Sequence, residues 1–172
     1  DHLILREDEF IQAMTNGLEF VARSPQLLTL GIKPTRPETG YGYIQITDEK
    51  EGDFYKVKTF VEKPQLELAQ VFVESGEFYW NSGIFLWNVN AILEAFERHM
   101  PEVSSKVVGG ATDFDSCPNI SIDYAIMEKA ENVYVQLCSF GWADLGTWGS
   151  LHEASPKDQH RNVIVKGNTL LY

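Results

Sequence analysis

The chain has 172 residues, enough for one domain and its hydrophobic core, with 44% apolar and 23% charged residues. That balance excludes a disordered tail and a coiled coil, and no apolar run approaches the ~18 residues of a membrane span. A formal net charge of -11 opposes nucleic acid and acidic membrane surfaces, but not a small phosphorylated ligand, which a metal ion or a few local cations can hold.

The opening Asp1-His2 precedes an apolar triplet, Leu3-Ile4-Leu5. Helical spacing follows over 7–23, through Phe10, Ile11, Met14, Leu18 and Val21, with Glu7, Asp8 and Glu9 in the first turn. Leu27–Ile32 reads as a short buried strand stopped by Pro34 and Pro37. Tyr41–Thr47 and Tyr55–Val61 read as two further strands, the second ending at Glu62-Lys63-Pro64. A helix over Leu66–Val73 stops near Gly76. Ser82–Trp87, bounded by Asn81 and Asn88, suits a strand buried on both faces. The next helix, Val89–His99, ends at Pro101, and 109–118 is a loop. Ser121 or Asp123 could cap a helix running through Ala130. Val133–Phe140 is a strand, Trp142-Ala143-Asp144 a turn, and Leu145–Ala154 a helix. Gly167-Asn168 between two apolar runs predicts a hairpin that starts a C-terminal segment, 161–172, distinct from the body, 1–160. Strands alternating with helices give an α/β fold with a mixed sheet.

Two cysteines, Cys117 and Cys138, are too few for a disulfide scaffold and read as free thiols of a reducing, cytoplasmic compartment. A dinucleotide fingerprint, a P-loop, zinc-ligand spacing and local nucleophile motifs are all missing. What stands out is a series of short polar signatures at strand ends. Gly40-Tyr41-Gly42 would let a ligand approach the backbone; it also reads as a plain loop entering a strand. In Phe60-Val61-Glu62-Lys63-Pro64 the carboxylate suits two sugar hydroxyls and the ammonium a phosphate, or both form a solvated pair. Asn81, in Trp80-Asn81-Ser82-Gly83, offers donor and acceptor together to a hydroxyl, or begins a turn. Asp123 reads as a helix cap or a ligand. Asp144, among apolar residues, needs a metal or a helix N-terminus as partner.

Taken in order, "PTRPETGYGYI", "FVEKP", "WNSGIF", "SIDYAIMEK" and "WADLGTW" resemble the sugar-1-phosphate nucleotidyltransferases, most closely the mannose-1-phosphate guanylyltransferase branch. The opening Asp1-His2 is similar to the end of that family's "P-S/A-D-H" motif. The resemblance implies part of a doubly wound, Rossmann-like domain that joins GTP to mannose 1-phosphate, giving GDP-mannose and pyrophosphate. It implies that Glu62 and Asn81 contact sugar hydroxyls, that Gly42 contributes its backbone, and that Lys63 holds the sugar phosphate. Asp1 and Asp144 match the ligands of a magnesium ion (Mg2+), with Lys63 and Asp144 carrying the chemistry. Arg36 and Asp123 lie in matching motifs without an assigned role. The family's Gly-rich, Arg-containing loop does not precede this region. The expectation is therefore a sugar-phosphate-binding half without the N-terminal nucleotide-binding half, inactive alone, with an open sheet edge prone to self-association. A thymidylyl- or uridylyltransferase acting on glucose 1-phosphate, and a non-catalytic sugar-phosphate-binding paralogue, are the rival readings.

Overall fold

The computed structural model describes residues 2–108, 114–146 and 148–163. At its centre is Leu27–Ile32 (β2), buried at every position. Such a strand must be covered on both faces, and it is: Leu28, Leu30 and Ile32 join one apolar cluster, while Leu27 joins another. β2 pairs in parallel with Val133–Cys138 (β6) and antiparallel with Phe78–Leu86 (β5). β5 pairs with Gly42–Glu51 (β3), and β3 pairs with Phe54–Val61 (β4).

The β3–β4 hairpin shifts register at Gln45/Ile46 and again between Ile46 and Lys50. Irregularities of this kind bend and twist a strand. The first residues of β4 can then reach β6, where Phe54 sits opposite Gln136 and Lys56 opposite Tyr134. The ring β2-β5-β3-β4-β6 is thereby closed. The sheet is mixed, as expected, but the expected open edge is absent from these five strands, because the bent hairpin satisfies it. A separate ribbon joins His2–Ile4 (β1) to Trp142–Asp144 (β7).

Helix Glu7–Arg23 (α1) lays Ala13, Gly17 and Val21 against the sheet. Gly17 is there for closeness, since a Cβ would lie 2.6 Å from Leu86 Cδ1. Leu66–Ser75 (α2) buries Ala69 and Phe72 in the same cluster and ends on left-handed Gly76. Val89–His99 (α3), capped by the Asn88 side chain on Ala91 N–H at 2.8 Å, covers the opposite face with Pro101–Val108 (α4).

Several boundaries differ from the sequence reading. β5 starts at Phe78, four residues early, so Asn81 is strand interior rather than a boundary. Pro101 ends α3 and also opens α4, because proline suits the first helical position. The helix expected through Ala130 is a π turn, Asp123–Met127, closed by Glu128 N–H donating to Asp123 O at 2.9 Å. Trp142–Asp144 is a strand, not a turn, since β1 supplies a partner that local sequence does not reveal. The last helix, Trp148–Ala154 (α5), begins three residues late, and β6 ends at Cys138. Cys117 and Cys138 are free, and burial pushes the Cys138 thiol up to about 12, leaving it inert. Asp1 and most of the expected hairpin, 164–172, lie outside the described residues.

Candidate functional site

Antiparallel pairing brings the start of β3 beside the end of β4, with Tyr43 opposite Val61. Glu62 and Lys63 therefore emerge next to Gly42, and Gly42 in turn faces Asn81 across β3–β5. Three segments distant in sequence converge at one place. A Cβ on Gly42 would run into Glu62 Oε2 and would lie 3.3 Å from Asn81 Cβ. The Glu62 carboxylate thus occupies the space a side chain would fill, and only glycine admits it against the β3 backbone.

The Glu62 side chain is 5% exposed, against 57% for Lys63. Glu62 Oε1 pairs with the Lys63 ammonium, while Oε2 is buried without a hydrogen-bond partner. Burial pushes the Glu62 carboxyl above its usual range. Lys63 opposes that shift, but its exposed ammonium is shared with solvent, and the negative charges of Asp123 and Glu128 add to the rise. The Glu62 carboxylate in turn holds the Lys63 ammonium above its ordinary value, so it stays charged. Lys63 has φ 48, a left-handed backbone that turns the chain sharply after β4.

Asn81 is anchored on three sides. Thr29 Oγ1 donates to its Oδ1 at 2.8 Å, with Ile84 O a more distant acceptor at 3.2 Å. Gly83 N–H donates to the same Oδ1 at 3.2 Å, and Asn81 Nδ2 donates to Asp123 Oδ1 at 3.1 Å. The π turn also grips the Glu62 backbone: Glu128 Oε1 accepts from Glu62 N–H at 3.2 Å, and the Tyr124 hydroxyl donates to Glu62 O at 3.3 Å.

A second cleft, of ≈ 350 Å³, adjoins this place and is lined by Arg36, Tyr41, Asp144 and Glu153 among others. The two are joined through Tyr41, whose ring meets Trp80 and Trp142 edge-on at 5.2 Å each. Tyr41 directly precedes Gly42, and Trp80 directly precedes Asn81. Arg36 stacks over Trp80 and pairs with Glu38 at 3.2 Å and Glu153 at 3.1 Å. Burial raises the Tyr41 phenol, opposed by Arg36. Asp144 is half-buried, and its Oδ1 accepts from Gly146 N–H at 2.8 Å. That bond closes a tight turn; α5 starts later, so Asp144 is not its cap. His2 is the register partner of Asp144.

Gly42, Glu62, Lys63 and Asn81 thus come together, with Asp144 and Arg36 in the neighbouring cleft. Asp1 lies outside the described residues, and among the described residues no three His, Cys, Asp or Glu side chains group as a metal cluster. Asp123 caps nothing with its side chain; it holds Asn81 instead. Thr29 went unnoticed in sequence, and Tyr124 and Glu128, inside the "SIDYAIMEK" motif, were given no role of their own. Thr29 carried a signal, being the one polar side chain in the buried run Leu-Leu-Thr-Leu-Gly-Ile. A buried hydroxyl demands a partner. For Tyr124 and Glu128 the signal was the motif itself, which does not show that both reach Glu62.

The family described as Nucleotidyl transferase matches residues 1–161. A mannose-1-phosphate guanylyltransferase of Salmonella typhimurium is 40% identical over 95% of this chain and 37% of its own length. One from Sinorhizobium fredii is 39% identical over 98% of this chain and 35% of its own. This chain therefore spans well under half of these curated relatives. A crystal structure from Thermus thermophilus, described as a mannose-1-phosphate geranyltransferase, superposes with TM-score 0.83 at 37% identity, over 93% of this chain and 49% of that one.

Proposed function

The chain belongs to the nucleotidyl transferase family, and from that premise we propose that it supplies the sugar-phosphate half of a doubly wound mannose-1-phosphate guanylyltransferase domain. The observation that carries the reading is the convergence of Gly42, Glu62, Lys63 and Asn81 at one place, with Glu62 Oε2 buried and unpartnered. A buried acceptor lacking a donor is costly unless a ligand completes it. Sugar hydroxyls are donors of that kind.

In this reading Glu62 accepts from a hydroxyl, Asn81 donates to one, and Gly42 contributes its backbone while admitting the Glu62 carboxylate beside it. Lys63, charged and exposed beside them, receives the sugar phosphate. The phosphate oxygen is already anionic and needs no general base, so the residues here contribute alignment for an in-line attack on the nucleotide's α-phosphorus. Rigid anchoring of Asn81 and Glu62 serves that alignment. The donor chemistry of Asp144 fits magnesium, which takes hard oxygen ligands, commonly one or two carboxylates together with substrate phosphates. Asp1, next in sequence to the register partner of Asp144, is the proposed second ligand. Bound there, the ion would neutralise charge developing on the phosphates.

Pyrophosphate release from GTP and mannose 1-phosphate tests the reading. A polypeptide of the relatives' full length carrying this chain is expected to turn over, and the 172-residue chain alone to bind the sugar phosphate without turnover. Turnover by the chain alone would put the triphosphate contacts inside it and refute the division.

A further inference from the structure

We propose that the π turn Asp123–Met127 is the positioning element of this site, and that Asp123, with Thr29 behind Asn81, leaves Asn81 a single N–H for ligand while Glu62 Oε2 is left as an acceptor. The inference rests on the reading of Glu62 and Asn81 as sugar contacts. Its starting point is an inventory of hydrogen bonds. An amide side chain has two N–H donors and a carbonyl oxygen with two lone pairs. Gly83 N–H can only donate, so the Asn81 atom 3.2 Å from it must be oxygen. Thr29 Oγ1, 2.8 Å from that oxygen, takes its second lone pair. Asp123 Oδ1 takes one N–H at 3.1 Å. One N–H remains.

Glu62 is treated in a matching way. Lys63 occupies Oε1, and the π turn fixes the peptide units on both sides of the residue through Glu128 and Tyr124. The free Oε2 and Asn81 Nδ2 both lie at the bare face of Gly42. An acceptor and a donor side by side can engage one hydroxyl, or two neighbouring ones, with a defined direction for each hydrogen. A π turn suits the task, because its wider ring spaces Asp123, Tyr124 and Glu128 to meet two strands; such turns recur at functional sites.

The test measures binding of mannose 1-phosphate and its monodeoxy analogues to the 172-residue chain by calorimetry. Asp123→Ala is expected to weaken mannose 1-phosphate about tenfold. Asp123→Asn, which keeps an acceptor for Asn81, should stay within about twofold of the unaltered chain. The Asp123→Ala loss should vanish for the analogue lacking the hydroxyl that Asn81 reads, and in an Asn81→Ala background. Thr29→Val, nearly isosteric, should show the same dependence on that one hydroxyl. Equal losses across all analogues, or a loss that persists without Asn81, would overturn the positioning role while leaving the sugar site intact. Failure of the folded, unaltered chain to bind mannose 1-phosphate at millimolar concentration would overturn the sugar-site reading, and this inference with it.

Discussion

Lys63 pairs with Glu62 and yet keeps more than half its side chain in solvent. Only the ammonium of this pair is exposed; the Glu62 carboxylate is buried, so the pair offsets part of the cost of that burial while its ammonium stays open to a ligand. Lys63→Ala should lower the melting temperature, because it leaves the buried Glu62 carboxylate unpaired, and cost ~1.5–3 kcal/mol in mannose 1-phosphate binding, the range of a charge-assisted contact. Calorimetric titration checks this, and an unaltered affinity would make Lys63 a surface charge. Glu62 behaves in the opposite manner, because burial raises its carboxyl in the folded chain above the ordinary value of 4.5. Between that value and the raised one, the folded chain keeps a proton that the unfolded chain has lost. Stability therefore falls as pH rises through this window. Glu62→Gln cannot ionise and should flatten the fall, which melting curves taken upward from pH 4.5 would reveal. Parallel curves for the two proteins would contradict the raised carboxyl. At this scale the motif residues were legible, since Glu-Lys-Pro and Gly-Tyr-Gly are local patterns. Their anchors were not, as Thr29 and Asn81 are 52 residues apart and meet only through the β2–β5 pairing.

Among the elements, the β1–β7 ribbon shows where local reading fails. Trp142-Ala143-Asp144 reads as a turn because three residues carry no usable period, and its partner lies at the other end of the chain. The structure makes Asp144 a strand end, its carboxylate tied to Gly146 N–H rather than to a helix. Asparagine can accept that bond equally well but is a poor, uncharged magnesium ligand. In a polypeptide of the relatives' full length, Asp144→Asn should leave thermal stability nearly unchanged while kcat collapses and the magnesium requirement rises. Asp144→Ala should in addition lose about 1 kcal/mol with the turn bond. Retained activity in Asp144→Asn would reduce the residue to its structural part. The helices α1 and α3 followed their periodicity closely, and the short β2 matched its continuous apolar run. The π turn did not announce itself, since Asp123 and Glu128 find their partners, Asn81 and Glu62, far away in sequence.

For the whole molecule, the α/β class and the mixed sheet could be read from alternating elements, whereas the closed ring could not. Closure goes with two register shifts within β3–β4, one at Gln45/Ile46 and one between Ile46 and Lys50, where the charged run Asp48 to Glu51 has no strand-like pattern. That closure holds the ends of β3 and β4 and the middle of β5 in fixed relation, and the site is built on it. The proposed function stands or falls on whether Gly42, Glu62, Lys63 and Asn81 form one sugar-phosphate site. A titration of the isotopically labelled 172-residue chain with mannose 1-phosphate, followed by backbone and side-chain amide resonances, decides this. The signals of these four residues and of Asp123 should shift together along one saturable curve, and Glu62→Gln with Lys63→Ala should abolish it. Saturable shifts confined to residues elsewhere, or a curve that survives the double substitution, would contradict a single shared site.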